Sequence, residues 1–384
     1  MDPEDRFVPS DLPARELRVL VLHNRDFEQT QAEDGNSAWS ADAQARADVA
    51  NVARSVARAL AARGHFAEVQ GIDRDDIPDL LLRLQKDPPD LIFNLVESLL
   101  SDDRHAATIP MLLDLHGIPY TGSGAWNINV TLRKQVMAPL LRSAGIQTPL
   151  SVLLPASPRS RSEDLAAVQA IGYPLFLKLA ESSGSIGVSY RSVVGTDEEL
   201  LRQVDFLRQT YGEPILAERF IAGREIYVSL LGNAPQQIFP LQEIDFSKLP
   251  AGTPHVVTED AKWQTSSPDY HAVSSVAIGP IHPTVKARIE EMVRRAFALL
   301  EVRDYARCDV RLSENGTPYI IDMNGNCDLS EDAGYARAAT LAGLSYEQLI
   351  EQIALTALQR TEHARRSSKR EPGNRLHHSS SDEG

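Results

Sequence analysis

Residues Arg307 to Asn326 read RCDVRLSENGTPYIIDMNGN. Asn315-Gly316 is the preferred centre of a two-residue type I′ turn, because both positions need positive φ. Counting outward sets Glu314 opposite Thr317, Asp309 opposite Asp322 and Arg307 opposite Asn324. Alternate residues of a strand share a face. One face then carries Cys308, Val310 and Leu312 with Tyr319, Ile321 and Met323, and belongs against a core. The other carries Arg307, Asp309 and Arg311 with Ile320, Asp322 and Asn324.

Like charges placed opposite each other destabilise a hairpin. Asp309 and Asp322 therefore call for something positive between them. With the Asn324 carbonyl they make a set of hard oxygen ligands suited to Mg²⁺, usually shared with phosphate. The alternative is a solvated sheet face on which arginines neutralise the aspartates. A turn longer than two residues would break the pairing.

The chain has 384 residues, enough for two or three domains. Its 42% hydrophobic and 24% charged content is that of a globular protein. A net charge of −14 disfavours nonspecific contact with nucleic acid or anionic membrane, so an anionic substrate needs a local basic site. Two cysteines, Cys308 and Cys327, make neither a disulfide framework nor a paired zinc motif. The start, MDPEDRFVPSDLPARE, does not read as a signal peptide, and no apolar run of about 18 residues suggests a membrane span. The expectation is a cytoplasmic protein acting on small molecules, with no nucleic-acid or membrane partner; a homodimer is compatible with the sequence.

From the N-terminus, strands at 17–23, 67–72 and 90–96 alternate with helices at 41–63, 78–86 and 104–116. This predicts a parallel α/β domain over 1–124. A helix is predicted over 131–144, ending at Gly145. A strand at 152–154, a helix at 163–171, a strand–loop–strand from Pro174 and a helix at 196–211 make a small α+β unit over 125–213. A third unit, 214–360, opens with the strand ILAERF. It continues with strands near 225–231 and 237–243, a polar loop at 247–272, a helix at 283–301, the hairpin, and a helix near 346–359. Residues 361–384 lack apolar periodicity and read as a disordered tail.

Lys178 ends one strand, and Ser182-Ser183-Gly184-Ser185-Ile186-Gly187 follows. Small residues let backbone N–H groups approach an anion, and a nearby lysine adds charge. A flexible hairpin tip would look the same, and neither GxxxxGK[ST] nor GxGxxG is present. Glu218 and Glu225 could accept from ribose hydroxyls or be merely exposed. Lys262 lies in a loop long enough to be a lid, while Lys134 reads as an exposed helical lysine. No GxSxG, HExxH or Cys/His cluster is found.

Taken in order, FNLVES (93–98), IPYTGS (118–123), the helix with Lys134 followed by AGIQTP, PLFLKLAESSGSIGVS (174–189), ILAERFIAGREIYV (215–228), EDAKW (259–263), and RCDVRL…YIIDMNGN followed by AGLSYEQLI resemble the ATP-grasp superfamily. The resemblance is closest to its D-alanine–D-alanine ligase branch and covers about 17–358. It implies mixed α/β and α+β architecture, an ATP-grasp fold behind an N-terminal parallel α/β domain. It implies ATP and two Mg²⁺ ions, with Mn²⁺ as a substitute. By matched position, Lys134 and Lys178 would touch the α/β phosphates. The loop Ser183, Gly184, Ser185 and Gly187 would cover the transferred phosphate, and Lys262 would reach it from the lid. Glu218, Arg219, Phe220 and Ile221 would bind adenine, with Glu225 on the ribose. Asp309, Asp322 and Asn324 would hold the metal ions, and Arg307 would stabilise an acyl phosphate.

Three departures mark the substrate half. LHNRDFEQTQ (22–31) replaces the branch's N-terminal Gly-Gly-x-Ser-x-Glu loop, and Asn326-Cys327-Asp328 replaces Ser-Pro-Gly. Ala333 stands where a serine grips the second alanine. Asp322 also replaces a more usual Glu. Glu97, Asp328, Glu331 and Asp332 are the substrate candidates, and the acid among them suits an amine-bearing or cationic substrate. The resemblance thus implies an ADP-forming carboxylate–amine ligase acting on an amino acid or similar small acid. D-alanine–D-alanine ligase itself, an ATP-grasp kinase and a non-catalytic ATP-binding regulator are compatible with the same residues.

Overall fold

The computed structural model describes residues 15–25, 41–157, 160–233 and 236–370. Three parallel strands, β1 (Arg18–Asn24), β2 (Phe66–Ile72) and β3 (Leu91–Leu95), are ordered β2-β1-β3. The mostly apolar runs of β1 and β3 fit strands covered on both faces, whereas β2, at the end of the sheet, is partly exposed. Against one face lies the helix Ala41–Ala62, whose Val49, Ala53, Val56 and Leu60 recur at helical spacing and are buried. Against the other lie Ile77–Lys86 and Thr108–His116, through Leu80, Leu84, Ile109 and Leu113. Gly117 ends the latter helix at φ +66, the left-handed conformation that favours glycine.

The second sheet is antiparallel and built from β4 (Ser151–Leu154), β5 (Leu175–Leu179), β6 (Val193–Val194) and β7 (Ile215–Arg219), in the order β4-β7-β5-β6. β7 is the ILAERF strand. The sequence pattern assigns it to a third unit beginning at 214, but it pairs with β4 and β5. The four-stranded sheet therefore closes only after Arg219. The strand expected after the Gly/Ser loop shrinks to Val193–Val194, because a 3₁₀ turn takes Tyr190–Ser192.

The third sheet runs β11-β10-β8-β12-β13, with β9 on β8. Its strands are β8 (Gly223–Leu231), β9 (Gln237–Ile238), β10 (Gln242–Asp245), β11 (Ser274–Ala277), β12 (Tyr305–Ser313) and β13 (Pro318–Asn324). The helix Pro283–Leu299 packs on its apolar face through Ile289, Met292, Val293 and Phe297. The stretch expected as a polar loop at 247–272 holds two short helices, Glu259–Trp263 and Pro268–Ala272. Each starts at a hydroxyl N-cap, Thr258 and Ser267.

Two C-terminal helices, Gly334–Leu341 and Tyr346–Arg370, share one core with the N-terminal sheet. Tyr335 sits between Phe239 and Tyr305, at ring separations of 5.7 and 5.8 Å. The last helix runs to Arg370, so the tail expected from 361 starts as helix; residues 371–384 lie outside the described residues.

One buried carboxylate ties these parts together. Asp304 is fully buried and takes both arms of Arg360 at 3.0 Å, the Gly122 N–H at 2.9 Å and the Asn233 amide at 2.9 Å. Its partners come from the C-terminal helix, the N-terminal domain and the turn after β8. Removing one partner of a buried pair leaves the other uncompensated. Arg360→Met should therefore cost about 2–4 kcal/mol in denaturant unfolding, the lower part of that range reflecting partial exposure of Arg360. A loss under about 0.5 kcal/mol would contradict the role given to Asp304.

Candidate active site

The hairpin registers Arg307 opposite Asn324 and Asp309 opposite Asp322, as counted from the sequence, but by a different route. The turn is longer than two residues. Ser313 and Thr317 face each other, with the Ser313 N–H donating to the Thr317 carbonyl and the Gly316 N–H to the Ser313 carbonyl. Gly316, at φ +79, closes this three-residue loop. The pairing is thereby shifted by one, and Val310 faces Ile320. A bulge between Asp309/Asp322 and Val310/Ile320 restores the original register and leaves Ile321 as the extra residue.

The bulge also corrects the expected faces. Ile320, assigned to the polar face, is buried in the core with Cys308, Val310, Leu312 and Met323. Ile321, assigned to the core, lines the cleft instead, and Tyr319 is absent from that core.

That cleft lies between the two antiparallel sheets and opens to solvent, with about 940 Å³ of empty space at its mouth and interior together. The candidates Lys134, Lys178, Ser183, Gly184, Ser185 and Lys262 line it. So do Glu218, Arg219, Phe220, Ile221, Glu225, Arg307, Asp309, Asp322 and Asn324. Gly187 does not. Its N–H is spent on the Glu259 carboxylate at 2.6 Å.

Lys134 is a correction. The expected continuous helix breaks at Arg133 (φ −86, ψ 82) into Ala125–Leu132 and Lys134–Ser143. Lys134 opens the second piece, buried rather than exposed, and its ammonium donates to the Ser182 carbonyl at 2.6 Å. Burial, followed by the influence of neighbours including Lys178, leaves its pKa below the ordinary lysine value. Lys262 is lowered in the same way, first by burial and then by Arg307. Burial disfavours the charge on both amines, so an anion placed beside them would stabilise it.

The Gly/Ser loop is built for close backbone approach. Gly184 and Ser185 adopt φ of +67 and +64, a left-handed pair that suits glycine and strains serine. The short helix carrying Lys262 is docked on this loop. The Trp263 indole N–H donates to the Gly184 carbonyl at 2.8 Å, and the Glu259 N–H to the Val188 carbonyl at 2.9 Å. A Cβ on Gly184 would meet the Trp263 ring at 3.3 Å.

The expected ribose and adenine glutamates have partners of their own. Glu218 pairs with Lys178 at 2.9 Å, and Lys178 also donates to the Ile321 carbonyl at 3.2 Å. Glu225 pairs with Arg311 at 3.0 Å; its pKa still lies above the carboxylate norm, because burial outweighs Arg311. Arg311 carries no sequence signal beyond its place on the hairpin face. It also donates to the carbonyls of Ile221 and His255 and fixes the segment after β7. Arg219 donates to the Ile171 carbonyl. The cleft's apolar lining, Phe176, Leu179, Ile186, Val256 and Val257 among it, is equally illegible, since these residues come from separate segments that each look like ordinary core.

Arg307 grips Asp309 with both arms, at 2.7 and 2.9 Å, and lies 4.3 Å from the centre of the Tyr227 ring. Burial disfavours its charge, but Asp309 outweighs that and holds its pKa well above normal. Among the described residues no three His, Cys, Asp or Glu side chains form a metal cluster. The available set is Asp309, Asp322 and Asn324. The Asn324 amide is buried with its nitrogen unpartnered, and amide oxygen and nitrogen exchange by a flip. Two opposed carboxylates and one unsatisfied amide fit a hard divalent cation.

The substrate candidates divide. Glu97 and Asp328 line a second cavity; Glu331 and Asp332 are exposed and line neither. Ala333 is the N-cap of Gly334–Leu341, with no side-chain hydrogen bond to give. Of the segment 22–31, only Leu22–Arg25 falls among the described residues.

The family described as D-ala D-ala ligase C-terminus matches residues 140–355. A protein of Sinorhizobium fredii described as uncharacterized protein y4sG is 29% identical, over 79% of this chain and 86% of its own length. The D-alanine–D-alanine ligase of Natranaerobius thermophilus is 31% identical over 73% of each chain. The crystal structure of D-alanine–D-alanine ligase from Bacillus anthracis complexed with ATP shares the fold, with a TM-score of 0.68 at 19% identity, covering 91% of this chain and all of that one. With a family match over more than half its length, this chain belongs to the D-alanine–D-alanine ligase family of ATP-grasp carbon–nitrogen ligases.

Proposed function

We propose that the protein is an ATP-dependent, ADP-forming ligase that joins a small carboxylic acid, an amino acid or similar, to an amine through an acyl phosphate. The observation that carries this is the convergence of Lys134, Lys178, Lys262 and Arg307 with the Asp309/Asp322 pair in one cleft.

A carboxylate is a poor electrophile, and phosphorylation makes it reactive towards an amine. The protein's share of such chemistry is positioning and charge neutralisation. Lys134 and Lys178 bind the inner phosphates, and Ser183, Gly184 and Ser185 present backbone and hydroxyl donors to the transferred one. Lys262 reaches over that phosphate, carried on the short helix held by Trp263 and Glu259. This cover excludes water that would hydrolyse the intermediate. Phe220 and Ile221 border the base, fixed through Arg311. Glu225 faces the ribose end with one oxygen already bound by Arg311. Arg307, oriented by Asp309 and Tyr227, stabilises the acyl phosphate.

Asp309, Asp322 and Asn324 would hold Mg²⁺, which when bound supplies positive charge between the carboxylates and the phosphates. Asp322→Asn is the cleaner test, because Asp309 also anchors Arg307. It should leave the far-UV spectrum and melting temperature unchanged and lower turnover at least about a hundredfold, a barrier increase of roughly 3 kcal/mol. Turnover within about threefold of the parent would refute the site.

D-alanine as both acid and amine should support little ADP release. Ala333 offers no hydroxyl to a carboxylate, and LHNRDFEQTQ (22–31) stands in place of the N-terminal glutamate loop that would anchor the first alanine's ammonium. Leaving a charged group unpaired costs about 1–3 kcal/mol or more. Two such losses lower kcat/KM by about a hundredfold or more relative to the preferred substrate pair. Efficient D-alanyl-D-alanine formation would make the protein a D-alanine–D-alanine ligase in the narrow sense. Product analysis separates a ligase from a kinase: the ligase yields an amide with ADP, the kinase a phosphorylated acceptor with ADP.

A further inference from the structure

Arg307, Asp309 and Arg311 alternate along β12 and so share one face of the strand. The first two serve the phosphate end of the cleft. Arg311 is registered directly opposite Glu225 on β8, and both are buried, at 4% and 6% exposure. A buried ion pair persists only where further hydrogen bonds satisfy the groups it leaves over. Arg311 has them. Its Nη1 donates to Oε2 of Glu225 at 3.0 Å and to the His255 carbonyl at 2.8 Å. Its Nε donates to the Ile221 carbonyl at 3.0 Å, and its Nη2 reaches the Gly223 carbonyl at 3.4 Å. The guanidinium carbon lies 5.4 Å from the centre of the Phe220 ring.

These contacts join two segments of the cleft lining that lie far apart in sequence. Phe220 and Ile221 line it from the link between β7 and β8; Val256 and Val257 line it from the strap that follows His255. That strap leads into the helix Glu259–Trp263, which carries Lys262. His255 also stacks on Phe246, with ring centres 5.0 Å apart, so the strap is held at a second point. Glu225 lines the cleft too, and its Oε1 takes no hydrogen bond among the described residues. Burial raises the Glu225 pKa, and Arg311 is the first influence opposing it, so a charged acceptor at this point depends on the arginine.

We propose that Arg311 is a positioning residue of the nucleotide site, which fixes Glu225 between the two lining segments so that one carboxylate oxygen receives a ribose hydroxyl. This inference deepens the nucleotide end of the ligase reading and rests on it. A planar guanidinium holds a carboxylate and two backbone carbonyls at once, a geometry that an ammonium does not reproduce. A nucleotide without ribose hydroxyls leaves Oε1 of Glu225 without its donor, and so does an enzyme in which Glu225 has lost its orientation.

The test is calorimetric titration of the full chain with a non-hydrolysable ATP analogue and its 2′,3′-dideoxy counterpart, each with and without Mg²⁺. The ribose form should bind the parent about tenfold or more tighter than the dideoxy form, as expected of a hydrogen bond to a charged group. Arg311→Met should cut that ratio below about threefold, while the factor by which Mg²⁺ tightens binding stays as in the parent. General loosening of the fold would instead lower both together. Arg311→Met leaves Glu225 buried without its cation, so Arg311→Lys is measured beside it. The lysine keeps the charge and the fold but lacks the planar fork, and should lower the ratio likewise. A ratio still near about tenfold in either folded variant, a Mg²⁺ factor that falls with the ratio, or equal binding of the two analogues to the parent overturns the inference. In each of these cases nucleotide binding remains and the ligase reading stands. If neither analogue binds the parent, the ligase reading fails and this inference fails with it.

Discussion

Two carboxylates, Asp309 and Asp322, face each other across the β12–β13 hairpin, and the rest of the site answers that repulsion. Arg307 clamps Asp309, Lys134 and Lys262 place positive charge near Asp322, and the unsatisfied Asn324 amide leaves a donor atom at the same edge. A bare hairpin with this pattern would be destabilised. Here the opposed charges are held in register by a sheet whose other face is a continuous apolar core. The cost of holding two opposed carboxylates is thus met by hydrophobic burial on the other face of the same two strands.

How this register comes about shows what the sequence does and does not reveal. Asp309 opposite Asp322 follows from counting across an assumed two-residue turn. In the structure the turn takes three residues and the bulge at Ile321 cancels the shift, so the site is as counted while Ile320 and Ile321 exchange faces. Nothing in a local apolar pattern separates those neighbouring isoleucines. The parallel N-terminal sheet is legible because β1 and β3 carry mostly apolar runs and the helix Ala41–Ala62 carries clear apolar periodicity. The sheet assignment of β7 is not, because strand pairing between distant segments leaves no local trace.

Burial of charge is the other blind spot. Lys134 reads as a surface lysine on an amphipathic helix, and only the break at Arg133 brings it inside. Glu218 and Glu225 look available for a ligand, yet each is partnered by a cation from another strand. Gly187 has the right composition for a phosphate loop, but its N–H is taken by Glu259 of the covering helix. That same contact, with Trp263 on Gly184, couples the loop to Lys262 and to the wall of the second cavity. One short helix therefore touches both cavities, which gives a physical route by which filling one could order the other.

The central claim is that the hairpin's opposed aspartates form a cation-dependent phosphate site. It is tested most directly by calorimetric titration of a non-hydrolysable ATP analogue with and without Mg²⁺, in the parent protein and in Asp322→Asn. The account predicts that Mg²⁺ tightens binding to the parent by about tenfold or more, a gain of at least ~1.4 kcal/mol, and that the variant loses this gain while keeping its Mg²⁺-free affinity. An equal Mg²⁺ effect in both proteins, or none in the parent, would contradict it.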